Sequence, residues 1–220
     1  MNTIEKQYRH YTAAVLLGLL LMSSTSLLAD ENLPYYDSAE FTPHWIEAGS
    51  DALTDFHHIP SFEFTNQHDQ VITQQDTDQK VYVASFFFST CPGICPKLRS
   101  KLKSVQDAFL DNDSVLILSH SIRPGTDTPE VLQHYAETHG VVAGKWHLLT
   151  GDQQSIYELA RTAYFANEDL GTLQDQADFL HTENLLLIDQ NRRIRGIYNG
   201  LSGASVGHLI SDIQRLLQEV

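Results

Sequence analysis

Residue types that bind soft metals are scarce in this chain. Its two methionines are Met1 and Met22, so a thioether ligand is excluded everywhere beyond position 22. Its two cysteines are Cys91 and Cys95, and a bridge between them would close a very small loop that restricts the unfolded chain little. A structural staple would be better placed elsewhere. Basic residues are also few, 14 Lys and Arg against 28 Asp and Glu for a net charge of −14, which excludes nucleic acid as a partner. No internal repeat or low-complexity tract is present, and 220 residues suffice for one full core.

The start of the chain reads as an export signal. Lys6 and Arg9 form a weak basic segment, an apolar run covers 13–22, and a polar stretch at 23–26 leads to the small residue Ala29. Cleavage is expected after Ala29. The apolar run falls short of the ~20 residues a spanning helix needs, and an uncleaved anchor is the alternative. Losing residues 1–29 removes Glu5, Lys6 and Arg9 and leaves 12 basic against 27 acidic residues, a net −15. No cysteine lies near the cleavage point, which argues against a lipid anchor. In an oxidising compartment a structural disulfide is the default reading of two cysteines.

What the chain does have is a dense signal at 81–96. Val81, Tyr82, Val83, Ala84 and then Phe86, Phe87 and Phe88 form a β-type apolar run that feeds directly into Cys91 and Cys95, with helix-forming sequence from Lys97. Thiols at the end of a buried strand and the start of a helix meet unpaired N–H groups and the positive helix end, which favour the thiolate. A disulfide wants its Cβ atoms within roughly 3.5–4.5 Å, whereas i and i+4 on a helix stand about 5–6 Å apart. Two thiolates on one metal at about 2.3 Å each need not come so close. The CxxxC spacing therefore suits metal and tolerates a disulfide, because Pro92 and Gly93 make the intervening turn irregular.

Around this motif the pattern is mixed. Residues 30–60 form an irregular arm with Tyr35, Tyr36, Phe41, Pro43 and Trp45, whose aromatics are expected to lie against the domain. Residues 62–65 and 71–73 predict a hairpin, 81–88 a central strand, 97–110 a helix with Leu98, Leu102, Val105 and Phe109 on one face, and 115–119 a second buried strand. Thr128, Pro129 and Glu130 open a helix to His139. A strand follows at 146–149, a helix at 152–165, an acidic excursion at 166–178, a hairpin from 185–188 and 193–198, and a closing helix at 206–217. The expected fold is an α/β sandwich of thioredoxin type with an added N-terminal β-hairpin and an extended N-terminal arm, its domain spanning 61–220.

A metal on two thiols needs a third ligand. His181, in a loop just before the apolar 185–188 strand, is the first candidate, and His120, at the end of the 115–119 strand, the second. His57, His58, His68, His134, His139 and His208 lie in polar or helical surroundings and read as surface residues. Two thiolates and one imidazole form a soft site that suits Cu(I), and Cu(II) or Zn²⁺ with a fourth group. The other reading is metal-free: a Cys91 thiolate attacks a partner's disulfide and Cys95 resolves the mixed intermediate.

Several segments taken in order resemble the Sco/SenC family: 86–96 with its two cysteines; Asp127, Thr128, Pro129, Glu130, Val131, Leu132; Thr150, Gly151, Asp152; and Phe179, Leu180, His181 ahead of an apolar strand. Leu33, Pro34, Tyr35 and Tyr36 add the family's lead-in, so the likeness covers about 33–217. The resemblance implies a periplasmic or membrane-associated thioredoxin-like copper protein that carries copper on Cys91, Cys95 and His181. It would help assemble the dinuclear copper centre of cytochrome c oxidase, with the oxidase's copper-bearing subunit and other copper chaperones as partners. The alternatives are a thiol-disulfide oxidoreductase that reduces the oxidase's copper-site cysteines, and a redox or copper sensor. One position departs from the family: many members have an acidic residue where this chain has Arg123. A cation there favours thiolates and an anionic copper complex, and is expected either to alter partner docking or to favour redox work over metal delivery.

Overall fold

The computed structural model describes residues 32–166 and 183–219. The export segment at 1–29, the excursion beyond Ala166 and His181 lie outside them. The centre of the fold is β3 (Val81–Phe87), buried along its whole length, as a strand covered on both faces must be. It pairs in parallel with β4 (Val115–Ser121), which pairs in parallel with β5 (Trp146–Leu149). On its other side β3 pairs antiparallel with β6 (Asn184–Ile188), and β6 with β7 (Ile194–Asn199). The resulting order is β5-β4-β3-β6-β7.

Alternation along the strands sends side chains to two apolar layers. Val81, Val83, Phe87, Val115 and Ile117 join Leu98 and Leu102 of α1 (Cys95–Ala108), Leu132 of α2 (Pro129–His139) and Leu209 and Ile213 of α4 (Gly203–Leu216). Tyr82, Ala84, Phe86, Leu116 and Leu118 face Ile156 and Ala160 of α3 (Gln153–Thr162) and the aromatics Phe62 and Phe64. Phe64 belongs to the expected hairpin, β1 (Glu63–Thr65) with β2 (Val71–Thr73), which is fastened to the end of β5 by reciprocal Thr65 and Thr150 hydrogen bonds of 2.8 Å.

The start of the arm is tied down by a buried cation. Arg195 donates to the Leu33 carbonyl (2.7 Å), the Pro34 carbonyl (3.2 Å) and the Glu219 carboxylate (2.8 Å), pairs with Asp189 (3.3 Å), and lies 4.0 Å over the Tyr35 ring. Trp45 departs from the expectation for the arm's aromatics: it is 68% exposed.

Boundaries shift for local reasons. The first helix begins at Cys95 rather than Lys97, because Pro96 occupies its first turn, where a missing N–H costs nothing, and the Ile94 carbonyl already accepts from Lys97 and Leu98. The third stops at Thr162, since Phe165 takes a left-handed backbone (φ 51°) and the Ala166 N–H turns back to the Ala160 carbonyl at 2.8 Å. The last starts at Gly203, capped by the Ser202 hydroxyl on the Ser205 N–H. β4 runs on to Ser121, which carries His120 into the core.

His120 is fully buried, stacked on Phe86 at 5.3 Å with the Phe64 and Tyr164 rings at 5.7 and 5.5 Å, and among the described residues neither ring nitrogen makes a well-formed hydrogen bond. Burial pushes its pKa down to about 4. The unfolded chain takes up this proton near pH 6.5 and the folded chain only near 4, so stability is present in full above 6.5 and lost as pH falls through that window. The loss amounts to about 3 kcal/mol. Denaturant titrations from pH 7 to pH 4 should show His120→Leu losing about one proton's worth of slope relative to the parent; equal slopes would contradict a neutral buried imidazole.

Candidate metal and redox centre

The two thiols sit in unlike places. β3 ends at Phe87, and a short loop carries Cys91, half-buried and in contact with both apolar layers, before Cys95 opens α1 as a buried member of the first layer. Both cysteines are free thiols. Burial pushes the Cys91 thiol up, but hydrogen bonds from the Cys95 side chain and from the Cys95, Gly93 and Ile94 amides outweigh it, leaving Cys91 below the ordinary thiol value. Burial, reinforced by the hydrogen bond to Cys91, raises Cys95 to about 12. The amides are those left unpaired at a helix start, as the strand-to-helix reading anticipates.

The loop is held from below by a carboxylate. Asp127, fully buried before the N-terminus of α2, accepts from the Ser89 hydroxyl (2.5 Å), the Ser89 N–H (3.1 Å) and the Ser121 hydroxyl (2.5 Å). Ser89 is two residues from Cys91, whose own N–H reaches the Phe88 carbonyl at 3.3 Å. The carboxylate thus joins the end of β4, the start of α2 and the thiol loop. Arg123 lies above the same loop, its guanidinium 4.2 Å from the centre of the Phe88 ring. Behind Cys95 is a narrow apolar cleft with Phe87, Leu98 and Trp146 in its wall, where Arg99 donates to the Tyr135 hydroxyl at 3.0 Å.

Of the ligand candidates, Cys91 and Cys95 come together, His120 is buried in the core among Phe64, Phe86 and Tyr164, and His181 lies outside the described residues. Among the described residues no group of three His, Cys, Asp or Glu side chains is arranged to hold a metal. The chain two residues after His181 is described: the Glu183 carbonyl accepts from the Gly200 N–H at 2.8 Å, and a Cβ on Gly200 would meet both Leu98 of α1 and that carbonyl. The donors present, two soft sulfurs of unequal exposure, fit a thiophilic metal and fit disulfide exchange equally.

The histidines read as surface residues are mixed. His58, His68, His134 and His208 are exposed, whereas His57 is half-buried against Phe165 at 4.5 Å, with its Nε2 2.8 Å from the Ala163 carbonyl. His147, which sequence reasoning left aside, is buried 3.2 Å from the Asn66 amide. Asp127 was also missed as a site residue. It stood in the sequence just ahead of the Thr128 cap, where a solvated acidic residue is the ordinary expectation.

Residues 50–218 match the SCO1/SenC family. The chain belongs to that family. A SCO1 protein homolog of Bacillus subtilis is 27% identical over 158 residues, 71% of this chain and 81% of that protein. The crystal structure of a SCO1/SenC family lipoprotein from Bacillus anthracis superposes with a TM-score of 0.65 at 27% identity, covering 73% of this chain and 95% of that one. The copper-bound ScoI of Bradyrhizobium japonicum shares the fold at 23% identity, with a TM-score of 0.57 over 71% of this chain and 98% of its own. The fold is thioredoxin-like, as the strand and helix order predicts.

The asymmetry of the Sco thiols here has a direct test. In Cys95→Ser, where a serine hydroxyl still reaches Cys91, the remaining thiol should alkylate with iodoacetamide rapidly near neutral pH. The thiol of Cys91→Ser should react at least about tenfold more slowly, as expected for a buried thiol with a raised pKa. Comparable rates would refute the asymmetry. Asp127→Ala, which strands two hydroxyls and an amide, should cost about 2–4 kcal/mol in denaturant unfolding; a loss under 1 kcal/mol would show that the carboxylate does not hold the loop.

Proposed function

We propose that this chain is an exported copper metallochaperone that serves assembly of the dinuclear copper centre of cytochrome c oxidase. Cys91, Cys95 and His181 are its ligands, and the oxidase's copper-bearing subunit is its client. The carrying observation is the thiol pair itself: a half-exposed sulfur with a lowered pKa beside a buried one, on a rigid strand-to-helix connection. Membership of the SCO1/SenC family supports the reading, as do the copper-bound structures of its relatives and the relative BsSco, a member of a family of cytochrome c oxidase assembly proteins.

Copper is cargo in this account. Two thiolates and an imidazole suit Cu(I), and the same sulfurs bind Cu(II) if a fourth group joins them. Cys91, the more exposed sulfur, is the ligand that a partner thiol displaces first; Cys95 stays behind, shielded by Phe87 and Leu98. The Asp127 contacts keep the loop in place while the metal comes and goes.

Export fits the sequence at 1–29, and the protein works in the periplasm, released or held at the inner membrane by that segment. Among the described residues no helix is long and apolar enough to cross a membrane. The Bacillus anthracis relative is a lipoprotein, whereas this chain has no cysteine near position 29 to carry a lipid.

A second reading has its own support in the unequal thiols, which are the arrangement a dithiol reductant uses, and in the disulfide switch described for the relative BsSco. Cys91 would attack a client disulfide, and Cys95 would close the Cys91–Cys95 bridge and release the client as a dithiol. The two readings part at His181. Titration of the reduced chain with Cu(I) against a competing chelator should give one-to-one binding, abolished in the Cys91→Ala, Cys95→Ala double variant and weakened at least about tenfold in His181→Ala. Binding indifferent to His181 would move the thiols to redox work.

A further inference from the structure

Charge is distributed against the local rules at one place. No Asp or Glu occurs anywhere in 81–106 or 114–126 of this acidic chain, and these stretches contain Lys97, Arg99, Lys101, Lys103 and Arg123. Lys97 stands in the first turn of α1, where the helix dipole disfavours a cation, and that turn has no acidic residue to offset it. Lys97 and Lys101 repel each other at i, i+4. By contrast α2 follows the dipole, with Glu130 in its first turn and His139 in its last.

Two of these cations are engaged: Arg99 with the Tyr135 hydroxyl and Lys103 with Asp107 at 3.0 Å. Lys97 and Arg123 are exposed and Lys101 is half-buried, and none of the three pairs with a carboxylate among the described residues. Arg123 is not loose, since its guanidinium rests on Phe88. Phe88 is also the residue whose carbonyl receives the Cys91 N–H. The carboxylate that the described residues place beneath the loop, Asp127, is buried and occupied by three hydrogen bonds. The fold therefore bears an unfavourable helix start and an exposed guanidinium with no carboxylate partner among the described residues next to its thiols, a pattern expected where function opposes local stability.

We propose that Lys97, Lys101 and Arg123 form a basic collar around the thiols that docks a protein presenting carboxylates around its own cysteines. This rests on the reading that Cys91 and Cys95 are the working groups. The chain is acidic overall, with 28 Asp and Glu against 14 Lys and Arg, so the collar both attracts such a partner and aims its cysteines at Cys91. Arg123 supplies the directional contact, because its guanidinium, placed over the Phe88 ring and paired with no carboxylate among the described residues, can offer its N–H fork to a carboxylate.

The test uses two synthetic disulfide peptides with one CxxxC core, flanked by four Glu or by four Lys. The reduced protein is mixed with each, and the appearance of peptide dithiol is followed. In this exchange Cys91 attacks a peptide sulfur and the peptide S–S bond breaks; Cys95 then displaces the peptide, so two electrons pass to it and a Cys91–Cys95 bridge forms. The acidic peptide should react at least about tenfold faster at low ionic strength, and the two rates should converge near 1 M salt, where charges are screened beyond about 3 Å. The Lys97→Glu, Arg123→Glu variant, checked for a thermal midpoint no lower than the parent's, should invert the preference. Equal rates, or a preference that survives the charge reversal, would overturn the collar while leaving the thiol chemistry standing. Failure of both peptides to react would overturn the redox reading of the thiols and the collar with it, and would leave copper ligation as a separate question for the Cu(I) titration.

Discussion

Everything at the site depends on the complete burial of β3. A strand covered on both faces, by α1, α2 and α4 on one side and α3 with the aromatic hairpin on the other, cannot shift register without driving its side chains into the opposite layer. Its end is thereby fixed, and the loop that leaves it delivers Cys91 and Cys95 to a constant place at the start of α1. Asp127 extends the same constraint from the neighbouring strand. Its carboxylate converts two serines and an amide, one of them from the end of β4, into a brace under the thiol loop.

From this placement follows the inequality of the two sulfurs. Cys91 is bathed in amide donors and half open to solvent; Cys95 lies against Phe87, Leu98 and Trp146. Such a pair holds a thiophilic ion with one ligand easy to exchange and one hard, and it passes electrons with one sulfur that attacks and one that resolves. The same geometry thus underlies both chemistries available to a Sco protein. What separates them is whether an imidazole completes the set.

Much of the fold was legible because its cues are strong. The apolar run at 81–88 marked the central strand, and the Thr128, Pro129, Glu130 sequence marked the start of α2, which the structure places at Pro129 with the Thr128 hydroxyl capping it. The ends that moved did so where tertiary contacts override local pattern. Tyr164 and Phe165 continue the apolar spacing of α3, yet the chain turns away through a left-handed Phe165. Nothing in the sequence separates His120 in the core from a histidine at a strand end, because the difference lies in two more residues of pairing with Phe86 and Phe87. Within the site the cysteines were legible from the strand before them and the helix after. Asp127 was not, since its partners Ser89 and Ser121 are distant or unremarkable in sequence and become meaningful only when β3 and β4 lie side by side.

The central claim is that copper rests on Cys91, Cys95 and His181. X-ray absorption at the copper edge of the loaded, reduced chain addresses it most directly. The account predicts a first shell of two sulfurs and one imidazole nitrogen, with the nitrogen scatterer lost in His181→Ala. A shell of sulfur alone, or a spectrum unchanged by His181→Ala, would contradict it.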